Sequence, residues 1–532
     1  MLIGYVSDQR YVALADVLLL IESATHGERA ALSVCSRADG GVVADLPPGR
    51  YTVTLAKDGF GPKRLEAELS PEQPYHFRLL KLDLLGYAWP KCVRAGERAE
   101  FRVHSDEAYK LSLWRYGLHK QLVRKIGWFD EHGPGATRQI TPDGDYTQTG
   151  VEWNKRGYSS PHHKQTVEAP SQSGLYYFHA QGESGKFFSF PWVVAPSRPA
   201  SPIAVLASNI TWNAYNSFGG RSNYIHPDRF PPRPTVNARL ELKRYTDSQH
   251  LNYDTDDYAP LSFDRPEPIN HIPRYTEAID PIEGRAACHV APAEWRLLAW
   301  LEREQLAYDY YSETQLHFDA VPLDDYRVLV ISTHPEYWSR RMYDRVKSWV
   351  FQRGGRLVYL GGNGLNCDVE FLDEQTCIYR NGDERRMRAS GGAIESRFHM
   401  RHESEAGLLG VVYDPRGIMT AAPYRVVDAD HWVFAGTRLS TGDTFGLESL
   451  HERVPGGASG HETDKRSASS PANTHLLAQG GNPDGGGAEM VIHEPDGGGA
   501  VFSVGSINWV SSLLVDDHVS RITANVLRRF TE

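Results

Sequence analysis

The chain is poor in the features that mark several common functions. Its 532 residues include five cysteines. These are Cys35, Cys92, Cys288, Cys367 and Cys377, scattered without C-x-x-C spacing, which argues against a disulfide framework or a cysteine zinc site. No apolar run approaches the roughly 18 residues that a membrane helix needs. The early apolar stretch 12–21 carries Asp16 and lacks both a basic cluster and a small-residue cleavage site, so it reads as structure rather than a signal peptide. Positive charge is not in excess: the formal net charge is −10, which argues against a nucleic-acid partner. There are no internal repeats. A cytoplasmic protein of several domains, without nucleic-acid or membrane partners, is the expectation from length and composition.

What the chain does have is a strand–helix–strand signal at 328–364. Val328–Ser332 is a short continuous apolar run, as in a strand buried on both faces of a parallel sheet. Residues 339–353 follow with Met342, Val346, Trp349 and Val350 at helical spacing, and Gly354-Gly355 stops the helix. Arg356–Leu360 is a second apolar strand that ends in the turn Gly361-Gly-Asn363-Gly364. In open parallel sheets ligands bind just past the carboxyl ends of the strands. His334, Glu336 and Asn363 stand at those ends.

Ahead of this unit the sequence predicts two β-sandwich modules. Residues 1–82 carry P-G-x-Y-x-V and K-D-G-F segments and resemble small carboxypeptidase-regulatory or transthyretin-like sandwiches. Residues 83–197 alternate as strands at 98–103 and 110–115, with an immunoglobulin-like S-G-x-Y opening at Ser173. The polar stretch 127–170, with Trp128, Trp153 and Tyr158, is expected to be a loop that covers a neighbour. After a proline-rich linker at 196–202, residues 203–532 read as α/β. Helices are predicted at 292–306 and 516–530, and short strands at 366–450. The Gly/Ser-rich residues 452–497 are expected to be a mobile insertion.

Several residues invite chemistry. His334-x-Glu336 at a strand end suits metal ligation or acid–base work. The 361–364 turn holds no serine or cysteine where many α/β hydrolases place the nucleophile, but the amide of Asn363 suits a developing oxyanion. Tyr215 and Tyr224 follow the first α/β strand. Two phenolates with a carboxylate favour a hard, highly charged metal over zinc. His162-His163 and His399-x-x-His402 lack supporting context, and Cys367 lies three residues past the glycine turn.

The segments AYNSFGG with NY, RVLVISTHPEYWS, GGRLVYLGGNG, TFGLES and FSVGSINWVSSL together resemble the large subunit of N,N-dimethylformamidase across most of 203–532. That resemblance implies a glutamine-amidotransferase-like α/β domain that lacks the cysteine nucleophile. It also implies one mononuclear iron(III) bound by two tyrosines and a glutamate. The matching positions are Tyr215, Tyr224 and Glu336, with Tyr253 and Tyr258 as alternatives for the second tyrosine. It further implies roles for His334 and Asn363, and a water-activating glutamate matched to Glu448. The implied activity is hydrolysis of a small N-substituted amide, perhaps with a small partner subunit and homo-oligomerisation. Two other readings stand beside it: a hydrolase that uses Cys367, and a degenerate, non-catalytic module that binds a partner.

Overall fold

Alternation shapes the front of the chain. Gly49–Lys57 turns Tyr51, Val53 and Leu55 inward and the residues between them outward, the period of two expected for a strand with one covered face. In the computed structural model, which describes residues 1–23, 31–130, 141–153, 165–236, 258–382 and 384–532, this strand lies in a four-stranded sheet with Ala31–Cys35, Leu18–Ser23 and Phe60–Leu69. A three-stranded sheet of Gly41–Val43, Leu2–Ser7 and Tyr75–Arg78 accompanies it. Ile3, Val6, Leu19, Ile21, Val53 and Phe77 form part of their shared core.

The next module has a three-stranded sheet (Thr166–Glu168, Arg98–His104, Leu85–Trp89) and a five-stranded one. The latter runs Lys120–Phe129, Tyr109–Tyr116, Gly174–Gly182, Phe187–Ala195, Cys92–Arg94. Their core is strongly aromatic, including Phe101, Phe178, Phe190 and Trp192. The expected loop at 127–170 begins inside a strand, since Lys120–Phe129 already includes Trp128. Its part at 141–153 does cover a neighbour: the Trp153 ring meets that of Phe218 edge-on, and the Val151 amide donates to the Asp264 carbonyl at 2.8 Å. Tyr158 and His162-His163 lie outside the described residues.

The rest is organised on a nine-stranded sheet, whose strands we number in chain order. They are β1 (Ile203–Ala207), β2 (Asp309–Ser312), β3 (Val328–Thr333), β4 (Arg356–Gly361), β5 (Tyr424–Val426), β6 (Thr444–Phe445), β7 (His475–Gly480), β8 (Glu489–His493) and β9 (Ala500–Ser503). The spatial order is β2-β1-β3-β4-β9-β8-β7-β5-β6. The first five are parallel and the remainder antiparallel. From β1 the chain goes first to β2 on one side and then to β3 on the other. The β1/β3 boundary is therefore the point where strand order reverses, and a crevice opens there at the carboxyl ends.

The helices are α1 (Asn209–Tyr215), α2 (Ala291–Arg303), α3 (Arg340–Arg353) and α4 (Asp517–Thr531). The Ser339 hydroxyl caps α3 by accepting from the Met342 amide, and Gly354 ends it in the left-handed conformation. Asp516 caps α4 in the same way. No helix among the described residues is long and apolar enough to cross a membrane.

Residues 452–497 are not the mobile insertion their composition predicts. They contribute β7 and β8 to the main sheet and the buried strand Thr463–Lys465, which pairs with Val412–Asp414. The glycines there mark close approaches of backbone: at Gly457 a Cβ would collide with the Ala422 backbone and at Gly487 with that of Gly480.

Candidate active site

Helix α1 starts directly at the end of β1 and lasts under two turns, so Tyr215 is delivered to the crevice from its last position. The chain then folds back, and the Asn223 amide donates to the Ala214 carbonyl at 2.9 Å. This return sets the rings of Tyr215 and Tyr224 4.3 Å apart.

The loop between the two tyrosines is gripped by both N-terminal modules. Arg78 donates to the Gly219 carbonyl at 2.8 Å, and the Gly219 amide donates to the Gln9 carbonyl at 2.8 Å. Arg221, fully buried, pairs with Asp145 at 2.8 Å. Gly219 and Gly220 have φ of +98° and +94° and press against Thr147 and Tyr11, so no side chain fits at either.

The third element follows β3. Thr333, β-branched and buried, has φ +64°, a conformation that costs such a residue on the order of 1–3 kcal/mol. It turns the chain sharply, so that His334 and Glu336 face the crevice. The Glu336 amide donates to the Thr211 hydroxyl of α1 at 3.1 Å, tying the two strand ends together.

The oxygens converge tightly. Tyr215 donates to Glu336 Oε2 at 2.8 Å. The Tyr224 hydroxyl lies 2.8 Å from both carboxylate oxygens of Glu336 and 2.5 Å from the Tyr215 hydroxyl. The Tyr337 hydroxyl donates to that of Tyr224 at 2.6 Å. Burial first, and then the Glu336 charge, push the Tyr215 phenol well above its ordinary range. Two phenols and a carboxylate meeting at one point form a hard oxygen donor set, and a highly charged cation is what would take the place of their protons. Among the described residues, no group of three or more His, Cys, Asp or Glu side chains is placed to hold a metal ion. The phenols are what sets this cluster apart.

Beside the oxygens lies a nitrogen-rich arrangement. His334 Nε2 is 3.3 Å from Glu336 Oε2 and 3.0 Å from Glu462 Oε2. Burial lowers the proton affinity of His334, but the two carboxylates more than offset it and leave it raised. Asn363, at φ +51°, donates to Glu462 Oε2 at 2.8 Å. Asparagine tolerates this left-handed backbone better than most residues. The Asn363 amide donates to Asp464 Oδ1 at 2.7 Å, and Asp464 Oδ2 accepts from Tyr359 at 2.7 Å. Despite burial, its contacts with His334, His461 and Asn363 hold Glu462 down at about 2.

Three further histidines complete the site. His289 Nδ1 is 3.0 Å from His334 Nδ1. The Val454 amide donates to His451 Nδ1 at 3.0 Å, so the His451 proton sits on Nε2, which donates to His461 Nδ1 at 3.0 Å. His461 is thereby left with its own proton on Nε2. A cavity of about 510 Å³ covers the site, lined by Tyr215, Tyr224, Glu336, Asn363, His461 and Glu462 together with Met387, Tyr413, Ile418 and Met419.

Of the residues singled out in the sequence, Tyr215, Tyr224, Glu336, His334 and Asn363 come together here. Glu448 does not: it is exposed in the segment after β6 and is absent from the cavity wall. The carboxylate found in the cavity wall against Asn363 and His334 is that of Glu462. In 462–464 the side chains alternate, so Glu462 and Asp464 reach Asn363 while Thr463 points away to the Gly486 carbonyl. Two acids two residues apart after a histidine, in an otherwise Gly/Ser-rich run, were the available signal. Tyr258 is buried and is not in the cavity wall, and Tyr253 lies outside the described residues. Cys367 is buried with its thiol pushed well up by desolvation, and it is not in the cavity wall.

A sequence model of the family described as N,N-dimethylformamidase beta subunit-like, C-terminal, matches residues 114–521. The chain belongs to this family. Its relatives include the N,N-dimethylformamidase beta subunit of an Alcaligenes species, 23% identical over 494 residues. Another is that of Paracoccus aminophilus, 25% identical over 487 residues. Each alignment takes in 75% of this chain and 61% of the relative, so the chain spans about three fifths of their length. Among solved structures, the N-terminal four Ig domains of Dscam1 align with 34% of this chain and 37% of theirs at 8% identity and TM-score 0.12. A DUF3823 family protein from Parabacteroides merdae aligns with 36% of this chain and 96% of its own at 14% identity and TM-score 0.13. Similarity at that level does not define a shared fold.

Proposed function

We propose that the chain is an amide hydrolase of the dimethylformamidase type, cleaving the C–N bond of a small N-substituted amide. The observation that carries this reading is the meeting of the Tyr215, Tyr224 and Glu336 oxygens within 2.5–2.8 Å of one another, in one cavity with Glu462 and Asn363 and with His334 behind them against both glutamates. Tyr215, Tyr224 and Glu336 would hold a mononuclear iron(III), whose chemistry is Lewis-acid polarisation of the amide carbonyl. Three anionic ligands balance its charge.

Glu462, rather than Glu448, is the general base. Its carboxylate, in the cavity wall, takes the proton of the attacking water. Water oxygen bonds to the acyl carbon, and Glu462 then passes that proton to the amine nitrogen as the C–N bond breaks. Asn363 Nδ2 and His334 Nε2–H would donate to the charge that develops on the acyl oxygen. The parallel strands β2-β1-β3-β4-β9, with the site at their carboxyl ends, support an amidotransferase-like platform for this chemistry. The relatives are each described as a beta subunit, so a small partner subunit and a homo-oligomer belong to this proposal. A cytoplasmic setting does too, in keeping with five free cysteines.

Metal content and the visible spectrum of the purified protein test the reading. One iron per chain and a phenolate charge-transfer band, lost in Tyr224→Phe, are expected together with hydrolysis of dimethylformamide. A protein that hydrolyses the amide with no bound metal would overturn the ligand assignment.

A further inference from the structure

The cavity is larger than the smallest N-substituted amides require. At about 510 Å³ it lies in the range of pockets that take much bigger ligands, and a formamide with two N-methyl groups leaves most of it empty. Its wall indicates what fills the remainder. The carboxylates of Glu336 and Glu462 are committed to the cluster described above. A third, Glu395, accepts from the Ser404 hydroxyl at 2.6 Å. The wall also carries three guanidinium groups, those of Arg285, Arg397 and Arg453.

Arg285 lies over the faces of Tyr215 and Tyr224, 4.6 and 5.8 Å from the ring centres. Arg453 differs from it. Its side chain is exposed yet lines the cavity, and its guanidinium has no ion pair or hydrogen bond with any described residue. Its charge reaches the site, adding to burial in lowering the proton affinities of His289 and His451. In a chain of net charge −10, Arg453 is a cavity-wall guanidinium without a partner among the described residues.

We propose that the natural substrate is an anionic amide, an N-formyl or N-acyl derivative of an N-alkylated amino acid or a close chemical equivalent. Its amide carbonyl faces the Tyr215–Tyr224–Glu336 cluster, and its carboxylate pairs with Arg453. This rests on the amide-hydrolase reading and narrows its substrate. The planar guanidinium fork matches a carboxylate with two parallel hydrogen bonds. Arg453 then determines specificity and touches no reacting atom. The reaction stays balanced: water adds across the C–N bond, the acyl carbon leaves as a carboxylate, and the amino acid nitrogen takes the proton.

N-formylsarcosine tests the idea, because it is dimethylformamide with one N-methyl group extended by a carboxylate. Its methyl ester is the neutral control. With the metal-loaded protein, kcat/KM is expected to be at least about tenfold higher for the acid than for the ester, the scale of one charge-assisted hydrogen bond. Arg453→Gln should abolish most of that preference through KM, and Arg453→Lys should retain part of it. A wild-type enzyme that treats acid and ester alike, or prefers the ester, overturns the proposal while leaving the amide-hydrolase reading intact. So does an Arg453→Gln variant that weakens both substrates in equal proportion. Failure to hydrolyse either probe or dimethylformamide overturns the amide-hydrolase reading, and this inference with it.

Discussion

The wall of Tyr215, Tyr224 and Glu336 and the wall of His461 and Glu462 line one cavity, but they rise from different kinds of backbone. The first stands at the ends of parallel strands buried on both faces, β1 and β3. The second stands beside the short strand Thr463–Lys465, outside the main sheet and surrounded by glycine and serine. Burial is nearly complete in both. An apolar strand shows its burial in its composition. A polar strand becomes buried only when other parts of the chain supply partners for its polar groups.

The comparison breaks most visibly at Glu336, the shared acceptor of both phenols. Glu336→Ala leaves two buried hydroxyls without it, and both metal content and turnover are expected to fall to background. Retention of a full complement of iron would remove Glu336 from the ligand set. Glu462→Gln should do the reverse, keeping metal and colour while kcat falls about 10²–10⁴-fold, the usual scale for a positioned base. Glu448→Gln is the control, with unchanged kinetics expected. If the two glutamates exchange these outcomes, the base is Glu448.

A smaller effect is expected at Asp464, and it is read as stability. Burial pushes its carboxyl from 3.8 up to about 7. The folded chain therefore holds a proton that the unfolded chain has released, and the stability it contributes is full below about pH 4 and declines as pH rises towards about 7. Asp464→Asn should flatten that decline in urea titrations across the same interval. An equal slope in variant and wild type would show that Asp464 does not carry the proton. The smallest effect is expected at His451, which bonds to His461 from outside the cavity wall. His451→Phe frees the His461 tautomer and should raise KM a few-fold, about 1 kcal/mol, with metal content intact. A larger change in kcat than in KM would place His461 in the chemistry itself.

Much of the first wall was legible in advance. The run 328–333, the helix that Ser339 caps and the turn at 361–364 follow local rules of apolar period, capping and glycine conformation. Those rules put His334, Glu336 and Asn363 at strand ends. The second wall was not legible, because Gly457-Ala-Ser459-Gly460-His461-Glu462 carries neither an apolar period nor a capping pattern. Its glycines read as looseness, whereas in the fold they allow backbones to approach closely. Of the N-terminal grip on the loop between the two tyrosines, only the covering role of 127–170 was expected, and the contacts of Gln9 and Arg78 were not.

The sequence by itself determined the parallel strands, their helices and the residues standing at the strand ends, since each depends on neighbours within a few positions. Only the tertiary structure decided that Tyr224 meets Tyr215, and that Glu462 rather than Glu448 faces His334 and Asn363. Those choices rest on contacts between residues dozens to more than a hundred positions apart. A buried carboxylate is tolerated only where distant donors converge on it, and no local pattern records where they will meet.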